Sequence, residues 1–232
     1  MKRFWTGAEA APCDGGFRVL LDGRPMRLPG GAPLLVADRM LALALAEEWQ
    51  AAGGGKGGEM SFEDVPLTRL VGTAQDRIAP DPAPTVAALA RYGASDLLCY
   101  RSDDPELAAR QAAAWQPLLD WASLHHGAPL LVTTGIMPVA QPPESLAALH
   151  RAVAALPPVA LAALGVAVPA LGSLVLGLAL QAGRLDDVAA HALASMDETY
   201  QEERWGVDEP AAAARAKRGE DVALAARLLR LA

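Results

Sequence analysis

The first stretch with a regular apolar beat is Gly16-Phe17-Arg18-Val19-Leu20-Leu21, which alternates loosely at the two-residue period of a strand. Asp22-Gly23 follows, and then a second short β-like run, Arg24-Pro25-Met26-Arg27-Leu28. Asp-Gly between two such runs predicts a hairpin with a type I′ turn, because both central residues of that turn need positive φ. Pro29-Gly30-Gly31 turns the chain again into Pro33-Leu34-Leu35-Val36, so a three-strand meander is expected. Pro25 has no N–H to give to a ladder, which puts its strand at an edge or a bulge.

The beat then lengthens to that of a helix. Leu41, Leu45 and Trp49 stand at i, i+4 and i+8 behind Asp38, whose carboxylate can cap a first turn, and Gly53-Gly54-Gly55 stops the run. From Pro84 onward the pattern stays helical. Thr85 is expected to cap a helix carrying Val86 and Leu89. Asp104-Pro105-Glu106 reads as a cap, a first-turn proline and an acidic first turn. That helix carries Leu107, Ala114, Leu118 and Trp121 on one stripe, is expected to kink at Pro117, and ends at Gly127. Residues 129–134 read as a short strand or extended connection, and Pro142-Pro143-Glu144 opens another helix. A helix over residues 186–205 and a last amphipathic one from Pro210, carrying Arg215, Lys217, Arg218, Arg227 and Arg230, complete the chain.

Between Arg151 and Arg184 no residue is charged. Uncharged apolar runs of about 18 residues or more are membrane-span candidates. Here Pro157, Pro158 and Pro169 interrupt the run, with Gly165, Gly172 and Gly177 among them, and Pro169 is expected to divide it into 158–168 and 169–183. Each piece spans roughly 16–22 Å at about 1.5 Å per residue, short of the roughly 30 Å hydrocarbon core. Two buried core helices are therefore expected. The resulting fold class is α+β: a small β-rich N-terminal domain over residues 1–78 and an all-helical bundle over 79–232, with Pro80, Pro82 and Pro84 near the boundary.

Composition narrows the function. At 52% apolar residues the 232-residue chain can bury a real core, and with few aromatics Ala and Leu carry the packing. A net charge of −7 argues against nucleic acid as the partner, since no basic surplus exists to displace counterions. Cys13 and Cys99 lie far apart with no CxxC partner, as expected of reduced thiols in a cytoplasmic protein. Met1-Lys2-Arg3-Phe4-Trp5 is followed by no apolar h-region, so neither a secretory signal nor a transit peptide is expected. The Gly-rich stretch 53–58 runs into Glu59-Met60 and not Lys-Ser/Thr, so it is no phosphate cradle, and no GxGxxG follows the hairpin. None of the four histidines stands at ligand spacing, and His125-His126 reads as charge at a helix C-terminus. Ser173 sits in Gly-Ser-Leu-Val inside an apolar run, not in a nucleophile elbow. Neither a metal nor a cofactor is expected.

Two polar constellations remain. In the first, Asp197, Glu198, Gln201, Glu202 and Glu203 crowd one helix, where Glu198, Gln201, Glu202 and Trp205 share a face and Leu193, Met196 and Tyr200 another. The readings are a solvated acidic face, a metal–carboxylate site, or a patch for a protein partner, and a Trp on that face favours the partner. Di-metal bundles also want an ExxH motif, which is missing. In the second, Arg69, Thr73, Asp76 and Arg77 line one side of the segment that begins Pro66-Leu67-Thr68, if it is helical. They are expected to form an interdomain hydrogen-bond network, with a polar binding surface as the other reading.

Several ordered segments are shared with one known family. They are Lys2-Arg3-Phe4-Trp5, Val19-Leu20-Leu21-Asp22-Gly23-Arg24-Pro25, Glu48-Trp49, and Pro66-Leu67-Thr68-Arg69-Leu70 with Thr73-Ala74 and Asp76-Arg77. Asp96-Leu97-Leu98-Cys99-Tyr100-Arg101, Trp115-Gln116-Pro117-Leu118-Leu119-Asp120-Trp121, Gly172-Ser173-Leu174-Val175-Leu176, and Tyr200-Gln201 with Trp205-Gly206 follow in order. Together they resemble the F1-ATPase assembly chaperones that hold the free alpha subunit, the mitochondrial type and its bacterial relatives. The resemblance implies a β domain followed by a helical domain, no catalysis, and a protein client, the unassembled alpha subunit, shielded until the beta subunit displaces the chaperone. It implies importance for Trp49 and for an acidic residue ahead of the Tyr-Gln motif, carried here to Glu198 with Asp197 as neighbour. Because Trp49 shares its face with Leu41 and Leu45, packing is the favoured reading for it. Glu198, Glu202, Trp205 and Asp197 are thus candidate partner-binding residues, and Trp49, Arg69, Asp76 and Arg77 are candidates for a structural or partner-binding role. A monomer in a bacterial cytoplasm is expected, where eukaryotic relatives occupy the mitochondrial matrix. The alternatives are a metal-dependent hydrolase on residues 197–203 and a membrane-associated scaffold.

Overall fold

The Asp22-Gly23 turn has both residues at positive φ, 47° and 76°, as a type I′ hairpin requires. The sheet around it is larger than the expected meander. It contains β1 (Ala8–Cys13), β2 (Gly16–Leu21), β3 (Arg24–Pro25) and β4 (Leu35–Val36). β2 is central. β1 pairs with it antiparallel from Ala8↔Leu21 to Cys13↔Gly16, while β3 (Leu20↔Pro25) and β4 (Phe17↔Val36) share its other edge. β1 had no sequence signal, since Ala-Glu-Ala-Ala-Pro-Cys holds no β-branched or aromatic residue; its state comes from pairing with β2. Gly16 must be glycine, because its φ is 142° and a Cβ there would lie 2.3 Å from the Val36 carbonyl oxygen.

α1 (Arg39–Ala51) starts as expected, with Asp38 accepting from the Met40 and Leu41 N–H groups, and buries Leu41, Leu45 and Trp49 against β1 and β2. α2 (Pro66–Thr73) begins at a first-turn proline and runs on as a π turn over Ala74–Ile78.

The computed structural model describes residues 1–135 and 137–232. It divides into one unit of Met1–Pro82, Pro158–Ala162 and Arg227–Ala232, and a second of Ala83–Pro157 and Ala163–Ala226.

In the second unit, α3 (Ala83–Ala90) begins two residues before Thr85, so Thr85 is inside the helix and not its cap. Two 3-10 turns lead to β5 (Tyr100–Arg101) and α4 (Pro105–His126). Asp104 caps α4 through the Glu106 and Leu107 N–H groups, and Gly127 closes it at φ 66°. The buried seam of α4 is Leu107, Gln111, Trp115, Leu118, Leu119 and Ala122, so the expected stripe through Ala114 and Trp121 is one position off. Pro117 is exposed on the opposite side, and α4 passes through it unbroken. His126 packs edge-on against Trp121 at 4.9 Å, and burial pushes its pKa down, so it behaves as a neutral ring and not as charge at a helix end.

β6 (Thr133–Thr134) runs parallel to β5, and α5 (Pro143–Ala154) opens at Pro143 as expected. The uncharged stretch forms α6 (Pro158–Leu171) and α7 (Leu174–Gln181). The break falls at Gly172-Ser173, not at Pro169. Pro169 and Gly165, whose carbonyl loses its helical donor, are both exposed, so water can serve that carbonyl. Gly172 takes φ 63°, and Ser173 then caps α7 through the Leu176 N–H. Residues 174–180 are all buried, and among the described residues no helix is long and apolar enough to cross a membrane.

One fully buried carboxylate fastens this region. Asp96 accepts from the Leu98 N–H at 3.1 Å, the Val175 N–H at 3.0 Å and the Ser173 hydroxyl at 2.7 Å. Burial pushes its pKa up, against the pull of those donors. The chain closes with α8 (Asp187–Ala194), α9 (Met196–Trp205) and α10 (Glu209–Leu231). The single helix expected over 186–205 is thus two, parted at Ser195 (φ −99°, ψ 10°), a break that no Gly or Pro marks.

Candidate functional site

The acidic residues of α9 are paired within the second unit. Glu202, half-buried, takes both arms of the Arg215 guanidinium at 2.8 and 2.7 Å. Glu198 takes Arg218 on both oxygens, at 2.5 and 2.6 Å. Asp197 accepts from the buried Gln111 amide at 2.7 Å, and Glu203 meets Arg110 at 2.7 Å. Tyr200 is buried between these pairs; its hydroxyl donates to Asp104 at 2.9 Å, while Arg204 and Arg110 stack over its ring at 4.6 and 5.0 Å. The Leu107 amide and the Tyr200 hydroxyl together hold the Asp104 carboxyl below its usual range. The Glu202 contact in turn raises Arg215. Glu198, Glu202 and Glu203 therefore have cations from α4 and α10 already in place and Asp197 a neutral amide, and among the described residues no three His, Cys, Asp or Glu side chains gather as a metal site. Trp205 alone of the four candidates projects freely, at 76% exposure.

The second constellation has a different setting. Arg69, Thr73, Asp76 and Arg77 are all exposed and stand along one wall of an open groove of about 1430 Å³ in the first unit. The opposite wall is the hairpin arm with Arg24, Arg27 and the Pro29-Gly30 turn. Gly72 lets α2 close on that arm, since a Cβ there would come within 2.9 Å of Leu28. The floor is apolar: Trp5, Leu21, Met26, Leu28 and Trp49 are each under one-tenth exposed. At the mouth stand Phe4 and Phe62, 66% and 53% exposed. The lining carries four arginines against one glutamate, Glu63, and one aspartate, Asp76, a positive patch on a chain of net charge −7.

A buried hydrogen-bond chain sets the position of the α2 wall. The Glu48 carboxylate accepts from the Leu67 and Thr68 N–H groups at 2.7 and 2.9 Å, serving the free donors at the start of α2. The Thr68 hydroxyl donates to Glu48 at 2.8 Å and accepts from the Trp49 indole N–H at 2.9 Å. The Trp5 indole donates to the Trp49 carbonyl, and buried Arg3 donates to the carbonyls of Trp5, Thr6, Gln50 and Ala52. Burial raises the Glu48 pKa, with the Thr68 and Leu67 donors opposing. Trp49 is thus a packed floor residue with its polar atom satisfied.

Residue patterns pointed to Trp49, Arg69, Asp76 and Arg77 but not to the rest of the groove. Phe4, Arg24, Arg27 and Thr68 stood in segments given no site role, as did Glu48 behind the α2 wall, and Phe62 went unread. An aromatic ring inside the polar run Ser61-Phe62-Glu63-Asp64 was the available signal for Phe62.

A family model described as ATP12 chaperone protein matches residues 2–123. Among solved structures, a mutant of Atp12p from Paracoccus denitrificans is 44% identical, with a TM-score of 0.92 over 99% of this chain and 97% of that one. Atp12 from the same organism gives 44% identity and 0.91 over the same shares. The Atu1473 protein of Agrobacterium tumefaciens is 40% identical, at 0.90 over 99% of this chain and 85% of its own.

Proposed function

This chain belongs to the ATP12 chaperone protein family, and from that premise we propose that it is an assembly chaperone of ATP synthase that binds the unassembled alpha subunit of the F1 sector. The observation that carries this reading is the family membership, with a family model matched over residues 2–123 and 44% identity to Atp12p over 99% of this chain. The exposed aromatic groove supports it, because a chaperone needs an apolar surface of its own to cover one on its client.

The work is done by binding alone. A free subunit of a larger assembly exposes an apolar interface, and such faces aggregate. A partner that covers the interface stabilises the monomer by mass action. The beta subunit, with better complementarity for the same face, then displaces the chaperone, so a difference of affinities suffices and no bond is made or broken. Trp205 offers a second contact on α9. Asp197, Glu198 and Glu202 serve the reading chiefly by holding α9 in place, since their partners already lie within the fold. The bacterial sources of the solved relatives support a bacterial cytoplasm as the compartment, with the protein acting as a monomer.

The test is co-expression of the tagged chain with isolated F1 alpha or beta subunit, followed by affinity capture. Capture of alpha but not beta, with release of alpha when beta is added, is expected. Capture of neither, or turnover of a small compound by the pure protein, overturns the reading.

A further inference from the structure

The groove in the first unit has three properties that bear on its occupant. It is too large and open for a small ligand, since such sites enclose roughly 300–1,000 Å³ and cover most of what they bind, whereas this one measures about 1430 Å³. Its lining of Phe, Trp, Met and Arg has the composition enriched at protein–protein contacts and depleted from ordinary surface. Its charge is opposite in sign to that of the chain as a whole.

We propose that this groove seats a stretch of client polypeptide that is apolar at its centre and carries carboxylates at its flanks. The proposal rests on the chaperone reading above and names which face of the molecule does the binding and which chemistry it selects. Phe4 and Phe62 at the mouth clamp the apolar part over the Trp5–Trp49 floor. The guanidinium groups of Arg69 and Arg77 on one wall, and of Arg24 and Arg27 on the other, take the flanking carboxylates in bidentate fashion. Arg27 also donates from Nη1 to the Gly31 carbonyl at 2.7 Å, which holds its guanidinium at the turn and leaves Nη2 and Nε for a carboxylate. The negative charge of the rest of the chain repels an acidic segment that approaches elsewhere, so the groove both attracts and selects.

The experiment compares capture of isolated F1 alpha subunit by the full chain and by three variants. Phe62→Asp places a charge at the apolar mouth, and Arg69→Glu with Arg77→Glu reverses one wall. All three residues are exposed, so folding is retained, and an unchanged thermal transition verifies it. Leu124→Asp makes the same kind of change at an 88% exposed residue outside the groove. The groove variants are expected to weaken alpha capture about tenfold or more, while Leu124→Asp leaves it within about twofold. Raising salt from about 50 to 500 mM should weaken the parent and leave the arginine-reversed variant no weaker or somewhat stronger, since it screens repulsion there. Alpha captured equally by all variants refutes the groove while leaving the chaperone reading intact. Alpha captured by none, parent included, refutes both.

Discussion

Asp96 allows the most direct test of how the helical unit is held together. Its carboxylate is fully buried and serves two backbone N–H groups, those of Leu98 and Val175, together with the Ser173 hydroxyl. In an Asp96→Ala protein the Ser173 oxygen still accepts from the Leu176 N–H and its hydroxyl hydrogen, having lost Asp96, can rotate, but the two backbone donors are fixed and lose their acceptor. At about 1–3 kcal/mol for each buried unsatisfied group, the loss is about 2–6 kcal/mol. Removal of a poorly solvated charge offsets part of it, so about 2–4 kcal/mol is expected, or a fall in Tm of about 4–16 °C for a chain of this size. Asp96→Asn keeps one acceptor oxygen and should lose about half as much. The two proteins also differ in pH dependence. Burial sets the folded pKa of Asp96 above its unfolded value, so between the two the folded chain binds the extra proton. Raising the pH through that window, upward from about 4, costs the parent stability, and Asn has no such loss. The advantage of the parent over Asp96→Asn therefore shrinks as pH rises. Differential scanning calorimetry across pH 4–8 reads both effects. An Asp96→Ala protein melting within about 2 °C of the parent, or a parent–Asn difference that grows with pH, refutes the account.

Other outcomes follow from single contacts. Glu202→Gln takes the two-pronged carboxylate from Arg215, whose side chain is 17% exposed, and leaves it only the more distant Glu198 at 3.8 Å; a loss of about 1–3 kcal/mol in urea unfolding is expected, and Glu202→Leu combined with Arg215→Met should recover much of it. Gly177→Ala would put a methyl 2.5 Å from Val168 in the α6–α7 core, lowering stability by about 1–3 kcal/mol, and an unchanged melting curve contradicts the packing. Cys99 is fully buried, and burial pushes its thiol up to about 12; a thiol reagent at neutral pH should label Cys13 quickly and Cys99 only on unfolding, and rapid labelling of both thiols in the folded chain disproves it.

Local chemistry was legible wherever one residue type dictates a backbone state. Asp22-Gly23, the Asp38 and Asp104 caps and Gly127 each specify a conformation by themselves, and each appears where the pattern put it. Features decided by distant pairing were not. β1 is a strand because β2 lies beside it, and Asp96 matters because Ser173 comes to it from 77 positions away. The same limit applied to α9. Helical spacing put Glu198, Gln201, Glu202 and Trp205 on one face, which reads as an open acidic surface until α10 brings Arg215 and Arg218 against it. Pro169 resembled a boundary, yet an exposed proline near the end of a helix is tolerated, and the break falls where Gly172 supplies a left-handed turn next to a capping serine. The groove combined both kinds of information. Its α2 wall was visible as a periodic row of polar residues, whereas Phe4, Phe62 and the hairpin arginines reach it only through the fold.

The bond from Glu48 to the start of α2 makes that helix a lever. Leu67 lies at the pivot and Arg77 ten residues farther on, about 15 Å along a helix. A tilt of about 5° at the pivot swings the far guanidinium by about 1.3 Å, enough to spoil a two-pronged grip on a carboxylate. Damage to Glu48, which does not line the groove and need not touch a client, would then appear in a binding assay as injury to the contact surface. Genetic lesions at this hinge and at the rim would be indistinguishable by phenotype, and only the melting temperature would tell which had struck the fulcrum.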